Sequence, residues 1–437
     1  MKRAFTIIIC AALVLAASPS RVVAEGVKVT LDEALQRAQI ANRDIQVAKE
    51  NLAEIEGLKN EARSEGLPQL TGNAGYERMW RKPKMFINDE LFTIGSNNTY
   101  SASAEVNQLL WDGGKVLKAV KAAKTEQARG LENIRDVEAR IRLSVKQTFY
   151  QILYTNKVID VLSRQLDQLK SHLAAIRTRF NKGLDSDYTL MRQQVEVSNV
   201  EPQLIDALRT YELLINSLKI LMAVNPEEKI EPTGTLAYNL RSLPGAHAMI
   251  EKARSTRPDL NAERLREASL VQNVGVEKAG YWPSLNFNTT YQWQGQSDNW
   301  RVGSNERSDS LSSSLNLSWP IFDGLKTKSR VEQAKARLMQ QRFQTSQLED
   351  SVVREVQDAI TSLEKAQAAY KSQLGSFNLA KKATAIASER FEAGLMSQLE
   401  LNDTINAQAQ AEQLYLQAIY DCLFAEAVLE KAMGGAM

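Results

Sequence analysis

From Tyr100 to Asn107 apolar and polar residues alternate: Tyr100, Ala102, Ala104 and Val106 against Ser101, Ser103, Glu105 and Asn107. Leu285, Phe287, Thr289, Tyr291 and Trp293 alternate in the same way with Asn286, Asn288, Thr290, Gln292 and Gln294. A period of two predicts strands with one apolar and one polar face, near 68–80, 99–111, 283–294 and 309–319. Each is close to the ~9–11 residues that carry a tilted strand across a bilayer. After Asp112-Gly113-Gly114 the period becomes helical. Val145, Ile152, Ile159, Leu166, Leu173 and Phe180 recur seven apart, with Leu162, Leu169 and Ile176 between them. Such a heptad predicts packing against another helix along the whole of 114–182, roughly 105 Å at 1.5 Å per residue. Gly183 then reverses the chain, 184–224 returns as a shorter helix, and Pro202 is expected to bend or interrupt it. Upstream, Thr30-Leu31-Asp32-Glu33 is a capping-box pattern that opens a helix over 30–65.

The pattern occurs twice. RFNKGLDSDYTL at 179–190 returns as RFEAGLMSQLEL at 390–401, and Trp111-Asp112-Gly113 returns as Phe322-Asp323-Gly324, both at an offset of 211. Asp44 and Asp259, Pro68 and Pro283, and Tyr76 and Tyr291 match at 215, so the first copy is longer by four residues between Pro68 and Trp111. The organisation this predicts is residues 25–225 as a first structural repeat with a hairpin tip near 183. Residues 226–437 form a second, with its tip near 394, and the two together build one protomer domain. The breaker-rich stretch 225–240 joins them.

All six tryptophans (Trp80, Trp111, Trp282, Trp293, Trp300 and Trp319) lie in or beside the strand segments and their loops, and none lies in the helical arms. Indoles favour the membrane–water boundary, so the clustering supports a transmembrane barrel with aromatic girdles. Four strands cannot close a barrel, and open edges in lipid leave backbone groups unsatisfied. Several copies must share one wall: two would supply eight strands, and three would supply twelve with room for a pore. Three is the expectation.

The first 24 residues carry a basic start at Lys2 and Arg3, an apolar run from Ile7 to Ala17 and a small-residue exit at Val22-Val23-Ala24. This reads as a secretory signal peptide, 1–24, too short to span a membrane. Its removal takes away Lys2, Arg3 and Arg21 and moves the formal charge from +2 to −1. Near-neutrality gives no electrostatic case for nucleic acid. The remaining cysteine, Cys422, has no partner for a disulfide and is expected to pack rather than react. His172 and His247 have no ligand-like companions, so no metal or cofactor site is expected.

The set of motifs resembles the TolC-like outer-membrane efflux protein family (the outer membrane factors). The resemblance rests on both RF-x-x-GL tips, both aromatic-Asp-Gly junctions, and the Leu67-Pro68-Gln69-Leu70 and Trp282-Pro283-Ser284-Leu285 strand starts, in that order along nearly the whole mature chain. It implies a mixed α+β membrane protein: a homotrimer with a shared twelve-strand barrel in outer-membrane lipid, continuing into a long periplasmic α-helical coiled-coil barrel. It also implies the exit duct of a tripartite efflux pump or type I secretion system. A periplasmic adaptor (membrane fusion protein) and an inner-membrane RND or ABC transporter would be its partners. The tips, with Arg179, Phe180, Gly183, Leu184, Arg390, Phe391, Gly394 and Leu395, would meet the adaptor. Acids just past the second tip, here Glu400 and Asp403, would ring the entrance and favour cations; Thr189 and Arg192 stand at the matching places of the first copy. The residues alone also suit ordinary solvated helix charges.

The chain contains no phosphate loop, zinc-spaced cluster or nucleophile elbow, so no enzyme and no catalytic residue is expected. The alternative function is a structural coiled-coil spacer or adhesin of the cell envelope. The period-two segments count against it, because a spacer needs no barrel.

Overall fold

The computed structural model describes residues 27–87 and 90–435. The expected signal peptide, 1–24, lies outside them. The first half runs β1 (Val27–Val29), α1 (Leu31–Ala41), α2 (Arg43–Ser64), β2 (Gln69–Arg78), a hairpin of β3 (Lys84–Ile87) and β4 (Glu90–Thr93), β5 (Asn98–Trp111), α3 (Lys115–Asn181) and α4 (Asp187–Leu221). The second runs β6 (Ile230–Pro232), α5 (Ala246–Thr256), α6 (Pro258–Lys278), β7 (Ser284–Ser297), β8 (Arg307–Ser318), α7 (Lys326–Glu392) and α8 (Gln398–Ala432). Helices α3 and α7 are each 67 residues, about 100 Å, and α4 and α8 are each 35.

Thr30 and Glu33 form the reciprocal capping box that their spacing foretells. The helix it opens does not reach residue 65 unbroken. Asn42 leaves the helical region (φ −60°, ψ 133°), ending α1 and capping α2 through its side chain. In the second half Arg257 makes the same break before Pro258, a residue that disfavours helix in its predecessor. The two residues do matching work. Asn42 donates to the carbonyl of Leu221 at the end of α4, and Arg257 donates to that of Ala432 at the end of α8.

The heptads bury in part: Val145, Ile152, Leu162, Leu166, Leu169 and Ile176 are buried, as are Val356 and Leu363 of α7, while Ile159, Leu173 and Phe180 are half-buried. Two similar cores lie partway along the arms. One gathers Ala34, Val145, Ile152, Leu218 and Met222, and the other Met249, Val356, Leu363, Leu429 and Met433. Helix α4 continues through Pro202 without a break. A proline removes one donor, and the burial of Val197, Val200 and Leu218 on either side holds the helix together.

The strands form one antiparallel sheet in the order β2-β5-β7-β8, leaving β2 and β8 as its edges. Two further pairings have no periodicity to announce them. β1 lies parallel to β6, tying the start of the described chain to the inter-repeat linker, and β3–β4 forms a separate hairpin in the longer first loop.

Candidate functional site: the hairpin tips and the strand wall

The duplicated RF-x-x-GL motif is a helix stop written in hydrogen bonds. At the end of α3, Leu184 N–H donates to the Arg179 carbonyl (3.0 Å) and Gly183 N–H to that of Phe180 (2.8 Å). At the end of α7, Leu395 donates to Arg390 (2.8 Å) and Gly394 to Phe391 (2.9 Å). This is the Schellman arrangement, which needs a left-handed residue at its glycine. Gly183 and Gly394 both have φ 73°. A Cβ at either would meet nothing within 4 Å, so conformation rather than space demands glycine there. The closing leucines usually fold back on an apolar residue one turn up; here that residue is Arg179 or Arg390. Leu184 and Leu395 are accordingly 67% and 79% exposed. Phe180 and Phe391 are half-buried. Ser186 and Ser397 then cap the returning helices.

Glu400 sits in the first turn of α8 and completes a capping box. Ser397 N–H donates to its carboxylate at 2.9 Å and the Ser397 hydroxyl at 2.8 Å. These bonds, the backbone one foremost, hold its carboxyl below the usual carboxylate range. The pattern Ser-x-x-Glu at 397–400 is the sequence signal for this role, the same capping-box spacing as Thr30 and Glu33. Asp403, one turn on, is exposed. Between the two tips lies a cleft of about 670 Å³, lined by Arg179, Asp185 and Arg192 from the first hairpin and by Phe391, Gly394 and Ser397 from the second. Arg179 pairs with Asp185 at 3.0 Å. His172 meets Phe391 edge-on, and burial lowers its pKa. The floor of the cleft is a chain of amides, the buried Gln193 and Asn402 and the half-buried Gln398. Gln193 Nε2 donates to the Leu169 carbonyl (3.1 Å), Asn402 Nδ2 to Gln193 Oε1 (2.7 Å), and Gln398 Nε2 to Asn402 Oδ1 (3.0 Å). It ties the two hairpins together, and its one local sequence signal is Asn402 beside Leu401, a polar break in an apolar stripe.

The sheet register sorts the wall into two faces. Leu70, Gly72, Ala74 and Tyr76 of β2 lie opposite Val106, Ala104, Ala102 and Tyr100 of β5. Leu285, Phe287 and Tyr291 of β7 lie opposite Leu317, Leu315 and Leu311 of β8. Midway along, two hydroxyls interrupt this apolar face, Thr289 and Ser313, and they satisfy each other at 3.0 Å; its charged members, Arg78, Arg307 and Asp309, lie towards the loop end. The other face is hydroxyl and amide: Thr71, Asn73, Ser101, Ser103, Asn286, Asn288, Gln292 and the serines of β8. Among the described residues of the four strands, its charged members are Glu77 and Glu105, both acidic. Asn288 donates to the Glu105 carboxylate.

At the junction of wall and arm, the Asp of each aromatic-Asp-Gly motif caps a long helix. Asp112 accepts from Gly114 N–H (3.0 Å) and Val116 N–H (2.7 Å). Asp323 accepts from the Thr327 amide (2.9 Å) and hydroxyl (2.5 Å), bonds that depress its pKa. Gly114 and Leu325 hold matching left-handed positions. No described helix is long and apolar enough to cross a membrane, and no metal-holding group occurs among the described residues. Cys422 is fully buried in the second core, which pushes its thiol up to about 12.

The family model described as outer membrane efflux protein matches residues 34–223 and 249–435. The outer membrane protein TolC of Vibrio cholerae is 22% identical over 394 residues, spanning 89% of this chain and 87% of that protein. The solvent efflux pump outer membrane protein SrpC of Pseudomonas putida is 23% identical, with 93% and 84% covered. Among solved structures, the CmeC outer membrane channel of Campylobacter jejuni aligns with a TM-score of 0.78 at 18% identity over 93% of this chain and 86% of that one. The open state of the Neisseria gonorrhoeae MtrE channel aligns at 0.74 and 19%, with 93% and 89% covered. The structural likenesses, at such identities, speak for the fold.

Proposed function

The chain belongs to the outer membrane efflux protein family, and from that premise we propose that it is a passive exit duct assembled from three copies. It is an outer-membrane channel protein of efflux and not an enzyme. The observation that carries the trimer is the open four-stranded sheet with β2 and β8 unpaired at its edges. Edges in lipid are untenable, and twelve strands from three chains would remove them. The accessible surface points the same way: 28576 Å² against about 17,000 Å² for a compact monomer of this mass. The matching lengths and caps of the two halves support a duplication, so a trimer would present six similar tips.

In this reading the apolar face meets lipid and the hydroxyl–amide face lines the pore. Cargo crosses a neutral polar wall whose charges, Glu77 and Glu105, favour cations over anions. At the other end Glu400 and Asp403 form the entrance ring. The tip residues Arg179, Phe180, Gly183, Leu184, Arg390, Phe391, Gly394 and Leu395 form the adaptor-docking surface, with the two exposed leucines as its apolar anchors. An inner-membrane RND or ABC transporter supplies the energy. Single-channel conductance of detergent-extracted protein, with its mass determined in the same preparation, tests the reading. Trimeric, conducting material is expected; a monodisperse single subunit without conductance would return the chain to the spacer alternative.

A further inference from the structure

Arg78 stands where a charge needs a reason. Strand alternation puts it on the face of Leu70, Gly72, Ala74 and Tyr76, at the loop end of β2. A guanidinium on the lipid-facing side of a barrel is costly at mid-membrane and tolerated only near the interface. Here it is built in. Its carbon lies 4.4 Å from the ring centroid of Trp80 and 4.9 Å from that of Trp300. Trp300 stacks on Tyr76 (5.8 Å), and Tyr76 lies against Tyr100 (5.0 Å). The Tyr76 hydroxyl donates to Asn98 Oδ1 and that of Tyr100 to the Trp300 carbonyl, which fixes the platform. The loop after β7 folds back on the same side, because Gly295 leaves room for Val302. Trp80 is nevertheless 81% exposed.

Indoles cover the guanidinium while its in-plane N–H donors keep no hydrogen-bond or ion-pair partner among the described residues. The surrounding charge is lopsided. Arg81, Lys84 and Arg301 are exposed and have no ion-pair partner among the described residues. Of the nearby acids, Asp298 is taken by Lys82, Glu306 accepts from Gly303 N–H and the Ser297 hydroxyl, and Asp309 of β8 and Glu90 of β4 are outnumbered by Arg78, Arg81, Lys84 and Arg301. Glu77 belongs to the opposite face of the strand.

We propose that this rim docks a phosphate-bearing lipid headgroup of the outer leaflet. Arg78 takes the phosphate on its free fork, Trp80 and Trp300 sink beside the first acyl carbons, and Arg81 and Lys84 meet a second phosphate. The site rests on the barrel reading above, since that reading puts this face in lipid. Charge complementarity and continuity with the apolar wall select a lipid rather than a soluble anion or an acidic polysaccharide, which would have no use for exposed indoles on this face.

The test uses the full-length protein in detergent with diphosphorylated lipid A, its dephosphorylated form, phosphatidylcholine and inorganic pyrophosphate as probes, and lipid retention read by native mass spectrometry. Wild type should retain diphosphorylated lipid A in preference to the other probes. R78A should weaken that retention about tenfold, the loss of one charge-assisted contact, and W80A should weaken it as well. Should R78A misfold, the off-platform double variant R81A/K84A must still lose retention. Equal retention by wild type and a folded variant, or equal competition by pyrophosphate or the dephosphorylated lipid, overturns the site. Planar-bilayer conductance separates the two failures. Wild-type conductance with unchanged retention in R78A sinks the site alone, whereas a wild type that never conducts sinks the barrel reading and the site with it.

Discussion

Ala223 and Gly434 occupy the same place in the two halves, just beyond α4 and α8, and both end their helices in Schellman hydrogen bonds. Gly434 has φ 76° and Ala223 φ 52°, so the first half holds an alanine in a region that disfavours side chains by about 1–2 kcal/mol. Ala223→Gly should therefore stabilise, by about 0.5–1 kcal/mol once glycine's extra freedom when unfolded is set against it; a thermal melt measures this. Gly183→Ala should have the opposite sign. Glu400 needs a sharper substitution than alanine, because its carboxylate both caps α8 and carries charge. Glutamine keeps the capping-box geometry and removes the charge. If Glu400 is an entrance group, Glu400→Gln should lower cation preference in reversal-potential measurements, with a small fall in melting temperature from the lost carboxylate at the start of α8. If it is only a cap, preference will not move. The pH dependence has a definite sign. The folded carboxyl titrates below its ordinary value, so its charge and its share of the cap persist above roughly pH 4.3. Both are lost only as pH falls through the lowered value.

At the scale of elements, the amide chain Gln398–Asn402–Gln193–Leu169 joins helices of different hairpins. Asn402→Ala would leave the Gln193 side-chain oxygen buried and unpaired, at a cost of about 1–3 kcal/mol. Faster amide exchange confined to the ends of α4 and α8 is the expected signature, with the two main cores unaffected. Elements were legible in the sequence to the extent that they repeat a period. The long arms announce themselves because one face is buried along many residues, and the strands because apolar and polar residues alternate although β2 and β8 are exposed on both faces in the single chain. The break at Asn42 does not, since an asparagine that ends one helix and caps the next leaves the apolar pattern almost unchanged. Three-residue strands such as β1 and β6 are too short to carry a period. The amide floor of the tip cleft was invisible for a third reason: Gln193 and Asn402 are 209 residues apart, and nothing local shows that they meet. The tips themselves could be found by their duplication, but their mechanism, a glycine stop with an uncovered leucine, needed the hydrogen bonds.

For the whole molecule, the proposed trimer requires β8 of one copy to lie beside β2 of the next, closing a ring with a definite number of members. Cysteines tell this apart from loose association. The native thiol will not interfere, because Cys422 is fully buried and burial keeps it protonated at neutral pH. A cysteine at Asn73 in the middle of β2, combined in turn with one at each serine of β8, samples the registers such an edge pairing could adopt. Opposed side chains in an antiparallel pair approach to about 4.5–5.5 Å between Cβ atoms, close enough for oxidation, while a shift of two residues is not. One register should therefore cross-link strongly and its neighbours weakly. The covalent products should stop at three chains, since a closed ring leaves no edge for a fourth. A ladder that runs past three would mean an open fibre of sheets, and uniform weak cross-linking at every position would mean that the edges do not pair at all.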